Sequence, residues 1–275
     1  MRGVSIAYCE AAVDATRLLV ALTGAVPALA AMWVVDRLDR KRPEPARLRH
    51  LIAFLGMVSV IPALILELGV TSMFGDDLQP LDLTYQGATF KSFMVAAGAE
   101  ELCKIGVVYW IVWRHPAFDE RMDGIVYASR AGLGFALVEN VMYLSLVATS
   151  LEDQLTMWLL RALLAIPGHA MWTGMIGAMA ARRRFDFKGL GLIGGYLLAV
   201  AFHGTYDLAL FAQKPLELEG HADLAKLTVI VPILITIASF YVLRSMARTA
   251  LVLDDEDAAR AAAAAATHIA PAPSA

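Results

Sequence analysis

Between Phe93 and Trp113 the chain carries an apolar run long enough to cross a bilayer, and in its first half stand Ala99-Glu100-Glu101-Leu102-Cys103-Lys104. A spanning helix needs about 20 mostly apolar residues. Each charge at such depth costs roughly 2.5–3.5 kcal/mol on insertion scales. Two adjacent carboxylates and one ammonium do not neutralise one another. The run therefore has to pack among other helices with its charged residues turned inward, and those charges are candidates for chemistry. The plainer alternative, an ion-paired patch that only joins helices, leaves one carboxylate without a counter-charge.

Composition supports a membrane setting. The 275 residues are 59% hydrophobic and 18% charged, with a mean hydropathy of +0.60. Soluble domains lie nearer half apolar and a quarter charged. The expected fold is all-α, a polytopic membrane helix bundle of about seven transmembrane helices. They fall at Thr16–Val35, Leu51–Val70, Phe93–Trp113, Gly124–Ala148, Leu155–Ala181, Gly189–Phe211 and Lys226–Met246. Residues 1–250 read as one transmembrane domain, with the polar motifs inside 91–211, and residues 251–275 as a cytoplasmic Ala/Pro-rich tail, a short alanine helix running into disorder. The two cysteines, Cys9 and Cys103, indicate neither a disulfide framework nor a zinc-type cysteine cluster. Arg2, Glu10 and Asp14 precede the first long apolar run, and that run is span length, which argues against a signal peptide.

Basic residues set the orientation. The first connection holds Arg37, Arg40, Lys41, Arg42, Arg47 and Arg49, the third Arg114 and Arg121, and the fifth Arg182, Arg183, Arg184 and Lys188. The second, fourth and sixth carry Asp76, Asp77, Asp82, Glu152, Asp153, Glu217, Glu219 and Asp223, with few basic residues. The N-terminus is expected outside and the C-terminus in the cytoplasm. The arginine runs read as topology signals with some affinity for anionic lipid. With a net charge of −3 nothing points to nucleic acid.

Four spans carry ionisable groups: Glu100, Glu101 and Lys104 in the third, Glu139 beside Asn140 in the fourth, His169 in the fifth, and His203 with Asp207 in the sixth. Glu100 and Lys104 are four apart and share a helix face, as do His203 and Asp207. Asp207 is thus placed to orient the His203 imidazole. At 1.5 Å per residue, Glu100, Glu139 and His203 come out roughly 12–14 Å below the outer surface. His169 joins that layer if the interface lies near Arg161, whose side chain would snorkel outward. Clustered carboxyls in a low dielectric cannot all ionise, so one can serve as a base near neutral pH. A carboxylate that activates water, with histidines near a developing oxyanion, suits peptide-bond hydrolysis. Neither GxSxG nor HExxH is present. Phe135, Tyr143, Trp172 and Tyr206 read as packing and cavity lining. A rival reading is a proton- or ion-coupled transporter, though no inverted repeat accompanies it. A second rival is a non-catalytic membrane scaffold.

Taken in order, Glu100-Glu101-x-x-Lys104, Phe135-x-x-x-Glu139-Asn140, His169 and His203-x-x-x-Asp207 resemble the motifs of the PrsW intramembrane proteases, distant relatives of the type II CAAX prenyl endopeptidases. The CAAX branch usually shows EExxxR and FxxxH, so EExxK and FxxxE point to the PrsW branch. The match covers about Phe93 to Phe211. The resemblance implies a multi-pass peptidase of the cell inner or plasma membrane that cuts membrane-anchored protein substrates, its namesake making the first cut in an anti-sigma factor. It implies catalytic roles for Glu100, Glu101, Glu139, His169 and His203, supported by Lys104, Asn140, Asp207 and Phe135. Two chemistries stay open: zinc held by His169 and His203, or a metal-free centre with Glu100 or Glu101 as base. The sequence balance leans to the metal-free version.

Overall fold

The apolar runs fold as helices and the acidic or arginine-rich connections break them. The structure is a computed structural model describing residues 15–78 and 83–269, so Cys9, Asp82 and residues 270–275 lie outside the described residues. Seven long helices follow in order among the described residues: α1 (Ala15–Val35), α2 (Ala46–Phe74), α3 (85–111), α4 (Arg121–Val147), α5 (Leu151–Asp186), α6 (Gly191–Phe211) and α7 (Ile230–Ile269). Helices α1, α2, α4, α5 and the stretch containing α7 are each long and apolar enough to span a membrane. The two that fall short of that apolarity, α3 and α6, carry the Glu pair and the His203–Asp207 pair.

Helix α4 is the axis of the bundle. Every residue from Arg121 to Ala136 is buried along it. It packs most heavily on α5, with α1 and α2 along its other side; α6 and α7 flank α5, and α3 closes the space between α6 and α4. Small residues set the central crossing. A Cβ added at Gly177 would lie 1.9 Å from the carbonyl oxygen of Gly124, and one at Gly132 would lie 2.4 Å from that of His169. Only glycine permits that approach, and it brings His169 against α4. Large apolar side chains such as Leu68, Trp110, Leu163, Ile193 and Tyr241 point outward. An exterior this apolar is a lipid-facing one.

Local breaks have identifiable causes. Helix α2 is interrupted at Ser59, three residues before Pro62, and Ser59 Oγ donates to the Gly56 carbonyl. Helix α5 widens into a π-type turn at Arg161–Ala165 immediately before Pro167, because proline lacks an N–H and crowds the carbonyl four residues back. A second π-type segment, Lys91–Gly98, ends at the Glu pair. Such segments often mark functional sites.

The alanine helix expected in the tail is the end of the last long helix. Helix α7 does not end near residue 250 but continues through Ile269. The acidic start of the tail is structural: Asp254 is buried and accepts hydrogen bonds from the backbone N–H groups of Arg121 (3.0 Å) and Met122 (3.0 Å). A carboxylate at a helix N-terminus satisfies donors that have no partner within the helix. Arg121 completes the joint with Asp254 at 2.8 Å, Asp257 at 2.7 Å and Asp186 at 2.5 Å. The arginine-rich end is thus also an internal ion-pair network, to which Arg130 and Arg49 add their pairs with Asp36.

Candidate active site

The four polar motifs meet on the facing sides of α3, α4, α5 and α6. Lys104 is at the centre and fully buried. Its ammonium lies 2.9 Å from Glu100 Oε2, 3.0 Å from Glu101 Oε1 and 2.8 Å from His169 Nδ1, with the Phe135 ring centroid 4.1 Å away. An ammonium has only protons to give. His169 Nδ1 therefore accepts, and its Nε2–H donates to Glu139 Oε2 at 2.8 Å. The expected Glu100–Lys104 pair is present, but the same lysine also serves Glu101 and a histidine on another helix.

Glu101 has no exposed surface, and both of its carboxylate oxygens have hydrogen-bond partners. Its Oε2 accepts from Thr173 Oγ1 at 2.8 Å, while Oε1 faces Lys104 and His203 Nδ1 at 3.1 Å. Glu101 thus orients His203 from the Nδ1 side. Asp207, expected to do so, approaches the other nitrogen, Nε2, at 3.4 Å. Glu100 Oε2 lies 3.9 Å from His169 Nδ1 and 3.8 Å from His203 Nε2. The indole of Trp172 stacks on His203 with ring centroids 4.3 Å apart, and its Nε1–H donates to Ser239 Oγ at 3.0 Å. Phe135 lies 5.9 Å from His169, centroid to centroid. Of the aromatic residues read as packing and cavity lining, Phe135 and Trp172 pack against the imidazoles, while Tyr143 and Tyr206 line the cavity.

Arg161 departs from the place expected of it and does not snorkel outward. Its side chain turns inward, 13% exposed, where Nη2 meets Glu139 Oε2 at 2.7 Å and Nε donates to Asn140 Oδ1 at 2.8 Å. An isolated deep carboxylate draws a counter-charge from the next helix, and the π-type turn beginning at Arg161 gives it that direction. Asn140 stays out of the reacting cluster and ties α4 to α1 through the Gly24 carbonyl at 2.7 Å. Sequence reasoning missed Glu67 on α2, whose charge is within reach of Glu100, Glu139, Lys104 and Asp207. The signal was available as a glutamate inside Leu64-Ile-Leu-Glu67-Leu. Thr173 gave no such signal. Cys103 is a half-buried free thiol packed beside Phe135.

The donor set fits a transition-metal ion. One atom each from Glu100, His169 and His203 lies within 4.8 Å of the others, and all three residues are buried. Each imidazole holds a carboxylate on its far nitrogen, Glu139 for His169 and Glu101 for His203. That outer-shell support fixes the tautomers of metal-ligating histidines. Lys104 takes the His169 Nδ1 lone pair here and must yield it for that nitrogen to ligate. A cavity of about 460 Å3, lined by Tyr143, Arg161, Leu164, Tyr206 and residues of the connection around Glu152 and Asp153, ends at Arg161, whose side chain stands between it and Glu139.

The model of the PrsW family intramembrane metalloprotease matches residues 44–242. Among curated proteins, the chain is 37% identical to Protease PrsW of Geobacillus kaustophilus over 126 residues, covering 45% of this chain and 53% of that protein. It is 30% identical to Protease PrsW of Oceanobacillus iheyensis, covering 68% of this chain and 80% of that one. It is also 30% identical to Protease PrsW of Bacillus subtilis, covering 69% and 81%. No solved structure matches.

Proposed function

The chain belongs to the PrsW family of intramembrane proteases, and from that premise we propose that it hydrolyses a peptide bond of a membrane-anchored protein at the Glu100–His169–His203 cluster. One observation carries the reading: two imidazoles and a carboxylate converge on one buried point, each imidazole backed by a further carboxylate, beside a cavity lined by both polar and apolar residues.

The donor set and the family's description as metalloproteases move the balance from the metal-free version toward a zinc-type ion on Glu100, His169 and His203. Such an ion, when bound, polarises a carbonyl and makes its water a nucleophile near neutral pH. The rest is the work of the chain. Glu101 and Glu139 hold the two imidazoles in their donor tautomers. Thr173 and Lys104 hold Glu101 in place. Arg161 keeps Glu139 oriented at the cavity wall and sits where a substrate carbonyl would enter. Asp207, with 15% of its side chain exposed and 3.4 Å from His203 Nε2, is a second carboxylate able to accept a proton. The apolar part of the cavity, from Leu160 to Leu210 and Pro232, suits an unwound segment of a substrate anchor. The cavity beside Arg161 lies toward the acidic connection of Glu152 and Asp153, which the basic-residue pattern puts outside the cell, the side from which a first cut in an anti-sigma factor would be made.

The test is cleavage of a membrane-tethered reporter by purified protein, with metal content measured on the same preparation. Close to one equivalent of zinc, lost in His203→Ala together with cleavage, is the expected result. Full cleavage by a metal-free preparation would return the mechanism to a glutamate base, and no cleavage by metal-loaded protein of any tethered reporter would remove the protease reading for this chain.

A further inference from the structure

At the arginine-rich end of the bundle, away from the catalytic cluster, three more carboxylates meet. Asp39 lies in the connection after α1, Glu44 stands between Pro43 and Pro45 in the same connection, and Asp123 is in the first turn of α4. One oxygen of each lies within 4.8 Å of the others. All three are buried, at 2%, 8% and 0% exposure. Along α4, Asp123 is about 24 Å from Glu139.

Their other bonds show which atoms face one another. Asp123 Oδ2 accepts the backbone N–H groups of Asp119 (2.8 Å) and Glu120 (2.7 Å), and Oδ1 has no partner. Glu44 accepts the hydroxyl of Tyr127. Asp39 is the independent observation: both of its oxygens are buried and neither has a hydrogen-bond partner. The nearby cations pair elsewhere, Arg42 with Glu120 and Asp255, Lys41 with Asp255, and Arg49 with Asp36, although the charge of Arg42 reaches Asp39 and its Nη2 is buried without a partner. Buried carboxylates are normally paired or coordinate a metal. Burial, reinforced by the Glu120 charge, pushes the Asp39 carboxyl up to about 6, and burial beside the Glu44 carboxyl pushes Asp123 up to about 9, so a cation binding here displaces a proton shared by Asp123 and Glu44. The prolines on either side of Glu44 restrict its backbone in advance.

We propose that Asp39, Glu44 and Asp123 form a second cation site, for a hard divalent ion of the Mg2+ or Ca2+ class. The donors are all carboxylate oxygens, the set such ions select over zinc. Bound there, the ion pins the α1–α2 connection to the start of α4, the helix that carries Glu139. The site is separate from the Glu100–His169–His203 donors in place and in ligand chemistry.

Full-length protein in detergent, carrying His203→Ala to weaken the intramembrane donor set, is titrated with Tb3+ while Tyr127 serves as the luminescence sensitiser. A saturable signal displaced by Mg2+ or Ca2+ is expected. Asp39→Asn should weaken Tb3+ binding at least tenfold. Tyr127→Phe should lose the luminescence but keep a rise in Tm with millimolar Mg2+ or Ca2+. Asp39→Asn relieves charge repulsion, so in a chelator it should melt at or above its parent and should gain nothing from added divalent ions, which distinguishes lost binding from lost folding. No Mg2+- or Ca2+-dependent rise in the parent, or an equal rise in Asp39→Asn, overturns the proposal and leaves a proton as the partner of the cluster.

Discussion

Replacing Arg161 by Met tests the inward turn that places Glu139. Arg161 is 13% exposed and Glu139 15% exposed on their side chains, with Nη2 2.7 Å from Oε2 and a second bond from Nε to Asn140. Methionine keeps length and apolar volume but removes the charge. Removing one partner of a buried pair typically costs about 3–5 kcal/mol, since it leaves an uncompensated charge. Glu139 would retain only the His169 N–H, so the lower half of that range, about 3–4 kcal/mol, is expected. For a chain of this size that is a fall in Tm of roughly 6–16 °C. Glu139→Gln should also destabilise, and the double variant should lose much less than the sum, with a coupling of about 1.5–3 kcal/mol. The assay is thermal unfolding in detergent followed by the burial-sensitive tryptophans, with reporter cleavage alongside. Cleavage should drop in Arg161→Met, because Glu139 fixes the His169 tautomer. A Tm within about 2 °C of the parent, with additivity within ~0.5 kcal/mol, would show that Arg161 does not pair inward and would undo the placement of Glu139.

The adjacent glutamates should separate by role. Glu101→Gln keeps the shape that spans Thr173, Lys104 and His203 and should lower metal affinity about 10–100-fold as an outer partner, whereas Glu100→Gln removes a ligand and should abolish both metal retention and cleavage; equal metal content in the two variants would refute this division. For topology, a periplasmic-type reporter fused in the 79–84 connection should be active and one fused at Lys188 inactive; the reverse pattern would put the catalytic cavity on the cytoplasmic side.

What the sequence by itself determined follows from the solvent it specifies. Glu100, Lys104, Glu139, His169 and His203 were conspicuous because an ionisable group in a hydrocarbon-length run is expensive wherever the helix points. The same logic would have found Glu67. Neighbours along one helix were also legible: the 3.6-residue period alone makes Glu100 and Lys104 a pair, and the structure has them 2.9 Å apart. What the period does not contain is the rotation of one helix against another, nor the local turns and helix ends that tertiary packing sets. Glu101, not Asp207, holds His203 Nδ1 because α3 faces α6 with that residue inward. Arg161 turns to Glu139 because a π-type turn ahead of Pro167 redirects it. Asp254 looked like the start of a solvated tail until the fold set it on the first turn of α4. Asp39, Glu44 and Asp123, spread over some eighty residues of connection and helix, are three ordinary surface acids by sequence. Only the packing of the α1–α2 connection onto α4 buries them together, and burial is what turns like charges into a demand for a cation.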